Sequence, residues 1–352
     1  MRLRKLIVTI HLYLGLAAAV LVLLFGVTGS IMAFERELEP VIHWRLSHVT
    51  PGTKPLPLTE LGTAVSTAFP GKPIRGYQVP GSPGLAYGVE LDTGFVTVNQ
   101  YTGAVLGIRT GEDWLEAVHQ LHIRLHLTAH RELGRTIMSW AGVVMLFLVF
   151  SGLYLWWPVK RVRINLGRSP TRTWFDIHNV LGIFSFAFLL LLSVTGVVLA
   201  FDGTTTPLFY RLTGSRPSPI PTDPVVPVPG AVLLTPDLAM EVARGALPGA
   251  TPFEVNVPAP DEYYFVRMRY PEDLTPGGRS RVLIDKYTGR VVYAEGSRTA
   301  PGGFRVANTN RAIHTGDILG IPSKFLMSLA SLMAVVQVLS GFMLWRARSS
   351  AG

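Results

Sequence analysis

Long apolar blocks alternate with polar segments along the chain. Four blocks, at residues 6–34, 136–157, 177–201 and 322–345, are predominantly hydrophobic. A hydrocarbon core of roughly 30 Å is crossed by about 20 helical residues, so each block is long enough to span a membrane. The pattern therefore predicts four transmembrane helices, with long polar segments after the first and third spans and a short loop after the second.

The two long polar segments share a second pattern. In each, a short amphipathic helix (58–69 and 236–247) stops at a Pro-Gly pair and is followed by alternating runs. The predicted strands are 74–79, 86–91, 95–99 and 104–108 in the first segment, and 254–257, 263–270, 280–285 and 290–294 in the second. Each segment is thus expected to fold as a small α+β module, a helix with an antiparallel meander.

The chain reads as a tandem duplication of span, outer module and span. The Pro-Gly pairs at Pro70-Gly71 and Pro248-Gly249 are offset by 178 residues. The predicted fold class is a membrane α-helical protein, a four-helix transmembrane bundle with two small α+β modules. Its predicted parts are 6–34 (first span), 35–112 (first module), 113–157 (helix extension and second span), 158–174 (basic loop), 175–201 (third span), 202–312 (linker, proline-rich at 204–232, and second module) and 313–346 (fourth span).

Charge adds an orientation to this picture. The formal net charge is +9, but the basic residues are concentrated beside the spans rather than spread over a nucleic-acid surface. They precede the first span, fill the loop after the second, and follow the fourth: Arg2, Arg4, Lys5, Lys160, Arg161, Arg163, Arg168, Arg172, Arg346 and Arg348. The positive-inside rule makes these places cytoplasmic. We therefore expect cytoplasmic termini, both modules outside, lipid as surroundings, and no nucleic-acid partner.

A histidine motif occurs in both the first and third spans. His11 and His178 are each followed by glycine after 4 residues, by threonine after 17 and by glycine after 18. Since 18 residues make about five helical turns, each histidine shares a helix face with the later glycine, Gly29 or Gly196. Ionisable residues inside apolar spans are costly and indicate a functional site.

Two imidazoles on facing helices are a common ligand set for haem iron. Because the chain has no cysteine, covalent c-type haem and thiolate clusters are excluded, and any haem must be non-covalent. Gly15 and Gly182, one turn after the histidines, would leave room for a flat macrocycle. Alternatively, the histidines only bond backbone carbonyls and the glycines are helix-packing contacts. The duplicated spacing favours His11 and His178 as a ligand pair.

A second ligand pair is expected at the outer end of the spans. Residues 114–135 predict a helix that carries four histidines along one stripe: His119, His122, His126 and His130. His126 lies 25 residues before Ser151, and His314 lies 26 before Ser340, so the two histidines are level if both helices continue without a break. His126 is therefore the preferred partner of His314, and His122, one turn further out, is the second choice.

Other residues at this end have less specific roles. Gly29 and Gly196 would make room for the outer macrocycle, while His119 and His130 are expected in solvent or behind the ligands. Four arginines would pair haem propionates or attract an anionic substrate, with contact to lipid headgroups as the alternative: Arg124, Arg131, Arg135 and Arg311.

The sequence holds no phosphate-binding loop, dinucleotide-binding glycine motif, nucleophile elbow or zinc-protease motif. Electrons for a haem protein would therefore come from another molecule, a quinol or a cytoplasmic reductase. Two cofactors stacked across the bundle would divide a crossing of roughly 30 Å into shorter steps.

As a set, these motifs resemble the PepSY-associated transmembrane family, and the outer segments resemble PepSY domains. The residues that carry the resemblance are His11, Gly15, Thr28-Gly29, Leu121-His122, Leu125, Gly134-Arg135, Ser151-Gly152, His178, Gly182, Thr195-Gly196, His314-Thr315-Gly316 and Ser340-Gly341. The resemblance implies four spans, two b-type haems held by histidine, and single-electron reduction of ferric siderophores on the periplasmic side of a bacterial inner membrane.

The preferred hypothesis is thus an inner-membrane di-haem ferric-chelate reductase that acts on a periplasmic ferric siderophore. His11 and His178 would hold the inner haem, and His314 with His126 or His122 the outer haem. The alternative is a non-redox membrane protein whose PepSY-like modules bind or regulate a periplasmic partner such as a peptidase. A divalent-metal transporter ranks last, because it would need carboxylates within the spans, whose interiors have none.

Overall fold

The computed structural model describes residues 2–110, 113–165, 169–227 and 230–349. The chain divides into two compact units. The helical unit comprises Met1–Glu35, Trp114–Pro207 and Thr309–Gly352, and the sheet unit comprises Arg36–Asp113 and Leu208–Asn308. Among the basic residues that suggested the orientation, Arg168 lies outside the described part of the chain.

The secondary structure repeats a helix-then-strands order in both long polar segments. The helices, in chain order, are α1 (Arg2–Ala17), α2 (Ala19–Met32), α3 (Glu35–Ile42), α4 (Trp44–Ser47), α5 (Leu58–Ala68), α6 (Trp114–Arg124), α7 (Arg131–Trp156), α8 (Pro170–Ala200), α9 (Asp202–Leu212), α10 (Pro236–Ala246), α11 (Gly302–Thr315) and α12 (Ile321–Ser349). The strands are β1 (Ile74–Gln78), β2 (Tyr87–Leu91), β3 (Gly94–Val98), β4 (Val105–Arg109), β5 (Thr251–Asn256), β6 (Tyr264–Arg269), β7 (Ser280–Ile284) and β8 (Val291–Glu295).

Three described helices, α7, α8 and α12, are long and apolar enough to cross a membrane. Together α1 and α2 pass the same test, but they are bent by 63° and make a fourth span only if the bent pair counts as one. The prediction of one continuous helix over residues 6–34 is therefore wrong at Ala18. Ala18 has a ψ angle of 0°, whereas a helix needs about −42°, so the chain changes direction there.

Small residues bring the long helices of the helical unit together. Helix α12 packs against α8 and α2, while α7 packs against α8 and α1. Gly26 of α2 approaches α12 so closely that an added Cβ would lie 2.7 Å from the Ser331 carbonyl oxygen. Such contacts are typical of membrane helices, where small residues let backbones approach. The buried apolar residues at the centre of these contacts are Ala18, Val22, Leu189 and Ala334.

The histidine-rich segment folds as two helices that pack against each other, α6 and α7, rather than as one. Between them, Leu125 and His126 have positive φ angles of 55° and 54°, which non-glycine residues rarely adopt. Gly134 permits the close return, since a Cβ there would lie 2.0 Å from the Arg124 carbonyl oxygen. The prediction of an unbroken helix over 114–135 is therefore wrong, and the depth comparison that selected His126 loses its basis.

The two predicted modules form one continuous antiparallel sheet in the sheet unit. The strand order is β4-β3-β2-β1-β5-β6-β7-β8, so each module contributes a four-stranded meander and the meanders join through β1 and β5. Tyr77 pairs with Val255 at this junction. Because each meander alone would leave an unpaired edge strand, the joint gives the inner edges hydrogen-bond partners. The sequence predicts both meanders but not their union.

Helices α5 and α10 pack on the sheet and share one hydrophobic core with residues of both meanders. Leu61 of α5 and Ala243 of α10 have no exposed surface. Asp237 in the first turn of α10 links the two helices, because its carboxylate accepts bonds from the backbone N–H groups of Leu58 at 2.7 Å and Thr59 at 3.0 Å. Pro57 precedes α5 and offers no side-chain cap, so Asp237 takes that role from the other module.

The segment after the third long span is more ordered than its proline content suggests. Residues 204–232 are predicted to be an unpacked linker, but the first of them belong to α9. Further along, Val225 is buried, and its N–H donates to the Asp261 carbonyl at 2.9 Å. The interpretation as a linker without packing is therefore wrong for these parts.

Replacing Asp237 by alanine is expected to destabilise the sheet unit by about 1–2 kcal/mol, because two N–H groups at the start of α5 lose their acceptor. Thermal unfolding of the full-length protein in detergent, followed by near-UV circular dichroism, measures the loss. Glu241→Ala is the matched control, because Glu241 is exposed on the same helix. Equal losses in the two variants would contradict the capping role.

Candidate functional site

Four histidines of the helical unit share one arrangement, in which ring atom Nδ1 lies beside a hydroxyl oxygen of another helix. In every case the hydroxyl belongs to the first residue of a Ser-Gly or Thr-Gly pair. The Nδ1–oxygen distances are 2.8 Å for His11 and Ser151, 2.8 Å for His122 and Thr28, 3.1 Å for His178 and Ser340, and 3.0 Å for His314 and Thr195.

The hydroxyls determine which ring nitrogen carries the proton. Ser151, Thr195 and Ser340 each donate to the backbone carbonyl four residues earlier, at 2.7 Å in each case. Thr28 donates to the Leu24 carbonyl in the same way. Since a hydroxyl has a single proton, its oxygen then has only lone pairs for the ring, and the histidine must donate Nδ1–H. Each imidazole is left with an unprotonated Nε2, a nitrogen able to bind a metal.

The glycine of each pair gives the imidazole its space. A Cβ added to Gly29 would lie 3.4 Å from Cε1 of His122, and one added to Gly196 would lie 3.0 Å from Cε1 of His314. The corresponding distances are 3.7 Å from Gly152 to the His11 ring and 3.3 Å from Gly341 to the His178 ring. Gly29 and Gly196 thus belong to the site at the opposite end from His11 and His178, where they face histidine rings.

Gly15 and Gly182 have neighbours on other helices. A Cβ on Gly15 would lie 3.8 Å from Cδ2 of Leu148, and one on Gly182 would lie 3.3 Å from Oε1 of Gln337. These are contacts between packed helices, the alternative that the sequence left open for these two glycines.

His11 and His178 form the first histidine pair. Their ring centroids are 6.3 Å apart and their planes meet at 83°. With bonds of about 2 Å to a nitrogen of each ring, an interposed metal would hold the centroids about 6 Å apart. Both rings are also only partly buried. The separation and the tautomer therefore fit one metal ligated from two sides.

His122 and His314 form the second histidine pair. The two imidazoles are close enough for their charged forms to repel each other. His122 also packs edge-on against Phe25, with centroids 5.5 Å apart. His126, the preferred partner in the sequence interpretation, is exposed in the turn between α6 and α7. His122, rather than His126, lies within range of the charge of His314, because α6 ends before it reaches His126.

The two pairs are associated with opposite ends of α8. His178 belongs to the first pair, and Thr195, which bonds His314 of the second pair, lies 17 residues further along the same helix. At 1.5 Å per residue this separation is about 25 Å. The helical unit therefore carries two distinct histidine pairs rather than one cluster.

Two of the four arginines predicted near the second pair bond polar side chains. Arg135 donates to the Asp202 carboxylate at 2.6 Å, and Arg124 donates to Gln120. Arg131 and Arg311 are exposed.

Arg311 also lies near enough to His314 of the second histidine pair for its charge to act on the imidazole ring. Arg311 is thus placed to meet an anionic group at that pair.

Sequence reasoning missed a buried carboxylate beside the first pair. Asp176, two residues before His178, has no exposed surface and accepts bonds from Arg161 at 2.6 Å and from the Asn165 side chain at 3.1 Å. Nη2 of Arg161 is buried without a hydrogen-bond partner among the described residues. Arg161 and Asn165 of the basic loop therefore pack against this acid. The available signal was a lone aspartate at the start of an apolar block, next to a run of basic residues.

The remaining histidines have different surroundings. His119 lies with Nδ1 3.3 Å from a carboxylate oxygen of Glu35, and this bond raises the pKa of His119 because the carboxylate stabilises the protonated ring. His130 is exposed just before α7. In the sheet unit, His43 contacts Asp113 at 2.6 Å. None of these three described histidines belongs to either histidine pair.

The hydroxyl residues are the candidate site residues that sequence reasoning did not assign. Ser151 and Ser340 served only as depth markers, and Thr28 and Thr195 only as part of a repeat. The signal was present, because a hydroxyl-glycine pair occurs once in each predicted span. A period along one helix does not reveal the residue on another helix that faces it.

A family model described as "PepSY-associated TM region" matches residues 8–348. The matched range contains both histidine pairs and all four hydroxyl-glycine pairs. A search of curated proteins found no match.

Proposed function

We propose, because the chain belongs to the PepSY-associated transmembrane family, that this protein is a b-type di-haem oxidoreductase of a bacterial inner membrane. The observation that supports the proposal best is the contact between a histidine Nδ1 and a hydroxyl oxygen, repeated four times, from which we infer the tautomer with an unprotonated Nε2. Histidines that only filled space between helices would not need the same tautomer at every position. Metal ligation needs it, because the lone pair of Nε2 forms the bond.

In this proposal His11 and His178 hold an inner haem, and His122 and His314 hold an outer haem. Both are b-type, because the chain has no cysteine for covalent attachment. Haem, when bound, exchanges single electrons with a partner. The protein orients the imidazoles and strengthens them as ligands, since the Nδ1–H bonds to hydroxyls raise their basicity.

The proposed direction of electron transfer is outward. Arg2 and Arg4 lie at the start of the helix that carries His11, so the positive-inside rule assigns the first pair to the cytoplasmic side. The second pair, about 25 Å away along α8, is then on the periplasmic side, as are the PepSY-like segments. A quinol or a cytoplasmic reductase would supply the electrons.

The proposed acceptor is a periplasmic ferric siderophore. Ferric iron is held by hard oxygen donors, and the ferrous ion prefers softer ligands, so one electron per iron weakens the chelate and releases the metal. Arg311 supports an anionic acceptor, because it is exposed and its charge reaches His314. The resemblance to the PepSY-associated transmembrane family, which implies reduction of ferric siderophores, agrees with this substrate class.

The competing hypothesis is a non-redox membrane protein whose PepSY-like segments bind or restrain a periplasmic partner such as a peptidase. Purified protein with no Soret band, before or after incubation with haem, would favour this alternative and contradict the di-haem proposal.

His178→Ala is expected to lower the haem content from two per chain to one, because the inner iron loses one of its two ligands. The pyridine haemochrome assay against protein concentration measures the ratio, and size-exclusion chromatography checks folding. His130→Ala is the matched control, since His130 is exposed and should leave both haems in place. A haem-to-protein ratio unchanged in folded His178→Ala would contradict the inner assignment.

Ser340→Ala is expected to raise the reduction potential of one haem and to weaken its binding by about tenfold, because His178 loses the acceptor of its Nδ1–H bond. Ser340→Thr should restore both properties. Spectroelectrochemical titration measures the potential. Ser193→Ala is the control, because Ser193 makes the same bond to a carbonyl, Leu189, at 2.7 Å but contacts no ligand histidine. Identical potentials in Ser340→Ala and wild type would refute the orienting role.

Dithionite-reduced protein is expected to be reoxidised by a ferric siderophore under anaerobic conditions, because electrons leave through the outer haem. The loss of the reduced haem bands is followed by stopped-flow spectroscopy, and a chromogenic chelator traps one ferrous ion per electron. His314→Ala should abolish the reaction, and Arg311→Gln should slow it. Iron-free siderophore is the control. Reoxidation at the same rate without ferric iron would contradict this substrate.

A further inference from the structure

A cluster of metal-ligating side chains lies outside both histidine pairs. Glu35, Glu116 and His119 each offer one ligand atom, and these atoms all lie within 4.8 Å of one another. Glu116 and His119 are three residues apart in α6 and so share one face of that helix. Glu35 begins α3 and approaches from a different segment of the helical unit.

The geometry of the cluster is near that of a bound cation. Nδ1 of His119 is 3.3 Å and 3.4 Å from the two carboxylate oxygens of Glu35. Ligand bonds of about 2 Å place neighbouring ligand atoms about 3 Å apart around a metal, so these atoms already have the required spacing.

The charges of the cluster suit a divalent ion. Two carboxylates give a formal charge of −2, which a divalent cation neutralises. Arg311 is close enough for its charge to act on His119, but Arg311 is exposed, so solvent and salt screen its repulsion of a cation. Glu116 is also oriented, because Gln120 donates to its carboxylate.

We propose that Glu35, Glu116 and His119 bind a divalent transition-metal ion. Two oxygen ligands and one imidazole match the preferences of manganese, ferrous iron and zinc. Three protein ligands leave coordination positions open for water or for another molecule's donor atoms. The ion is therefore exchangeable rather than enclosed.

The position of the cluster gives the ion a role beside the outer haem. His119 precedes His122 by three residues on α6, so the cluster lies about one turn from a ligand of the second pair. Naming ferrous iron as the physiological ion rests on the proposed function, because a ferric-chelate reductase releases that ion there. The site then takes up the ferrous product as it leaves the chelate. Metal binding itself does not depend on the haems.

The experiment uses full-length protein in detergent, treated with a chelator and then titrated with Mn²⁺ and with Zn²⁺. Free Mn²⁺ is followed by electron paramagnetic resonance, and free Zn²⁺ by a chromogenic competitor. We expect the wild-type protein to bind one ion per chain. In Glu35→Gln and in His119→Gln the affinity for the ion should be at least about tenfold weaker. Glu132→Gln and His130→Gln are the matched controls, because both residues are exposed in or beside α7.

The outcomes separate this proposal from the haem proposal. Binding of neither metal by wild type, or equal binding by all variants, would overturn the metal site and leave only an ion pair between His119 and Glu35. The haem-to-protein ratio is measured in the same samples and should be unchanged in Glu35→Gln. If the wild-type protein contains no haem but binds Mn²⁺ or Zn²⁺, and His119→Gln loses this binding, the result would support the metal site and contradict the di-haem function.

Discussion

The hydrogen bond from an imidazole Nδ1 to a serine or threonine hydroxyl is the constraint on which the helical unit depends. An imidazole among apolar helices needs a partner for its N–H, because lipid offers none. The hydroxyl supplies one while donating its own proton to a backbone carbonyl, as Ser340 does to Val336. Both polar groups are satisfied at once. The ring is left with one tautomer and one orientation, so a metal would meet a ligand that is already arranged.

These bonds follow the duplication of the chain. His11 and His122 bond hydroxyls of their own half, and His178 and His314 do the same in the second half. Each proposed ligand pair instead takes one histidine from each half. One copy therefore orients its own imidazoles but has no complete pair, and only the two copies together make two sites. The α7–α8 and α2–α12 packing holds the copies in this relation.

The sheet unit obeys a similar rule through a different interaction. A four-stranded meander exposes the backbone groups of its edge strand, and an unpaired edge invites association with other chains. The pairing of β1 with β5 satisfies these groups within the chain. Asp237 strengthens the union, because it caps a helix that belongs to the other copy. In both units, then, a single copy leaves polar groups or ligands incomplete.

The sequence by itself determined the apolar blocks and the two helix-and-meander segments, and it selected His11, His178 and His314 as candidate ligands. These depend on composition and spacing within one segment, which periodicity reports directly. Only the tertiary structure decided that α6 ends before His126, because no glycine or proline marks that end and the return of α7 requires it. It also decided which hydroxyl meets which imidazole and which strand edges join, since a period along one element names the face that is buried but not the neighbour that buries it.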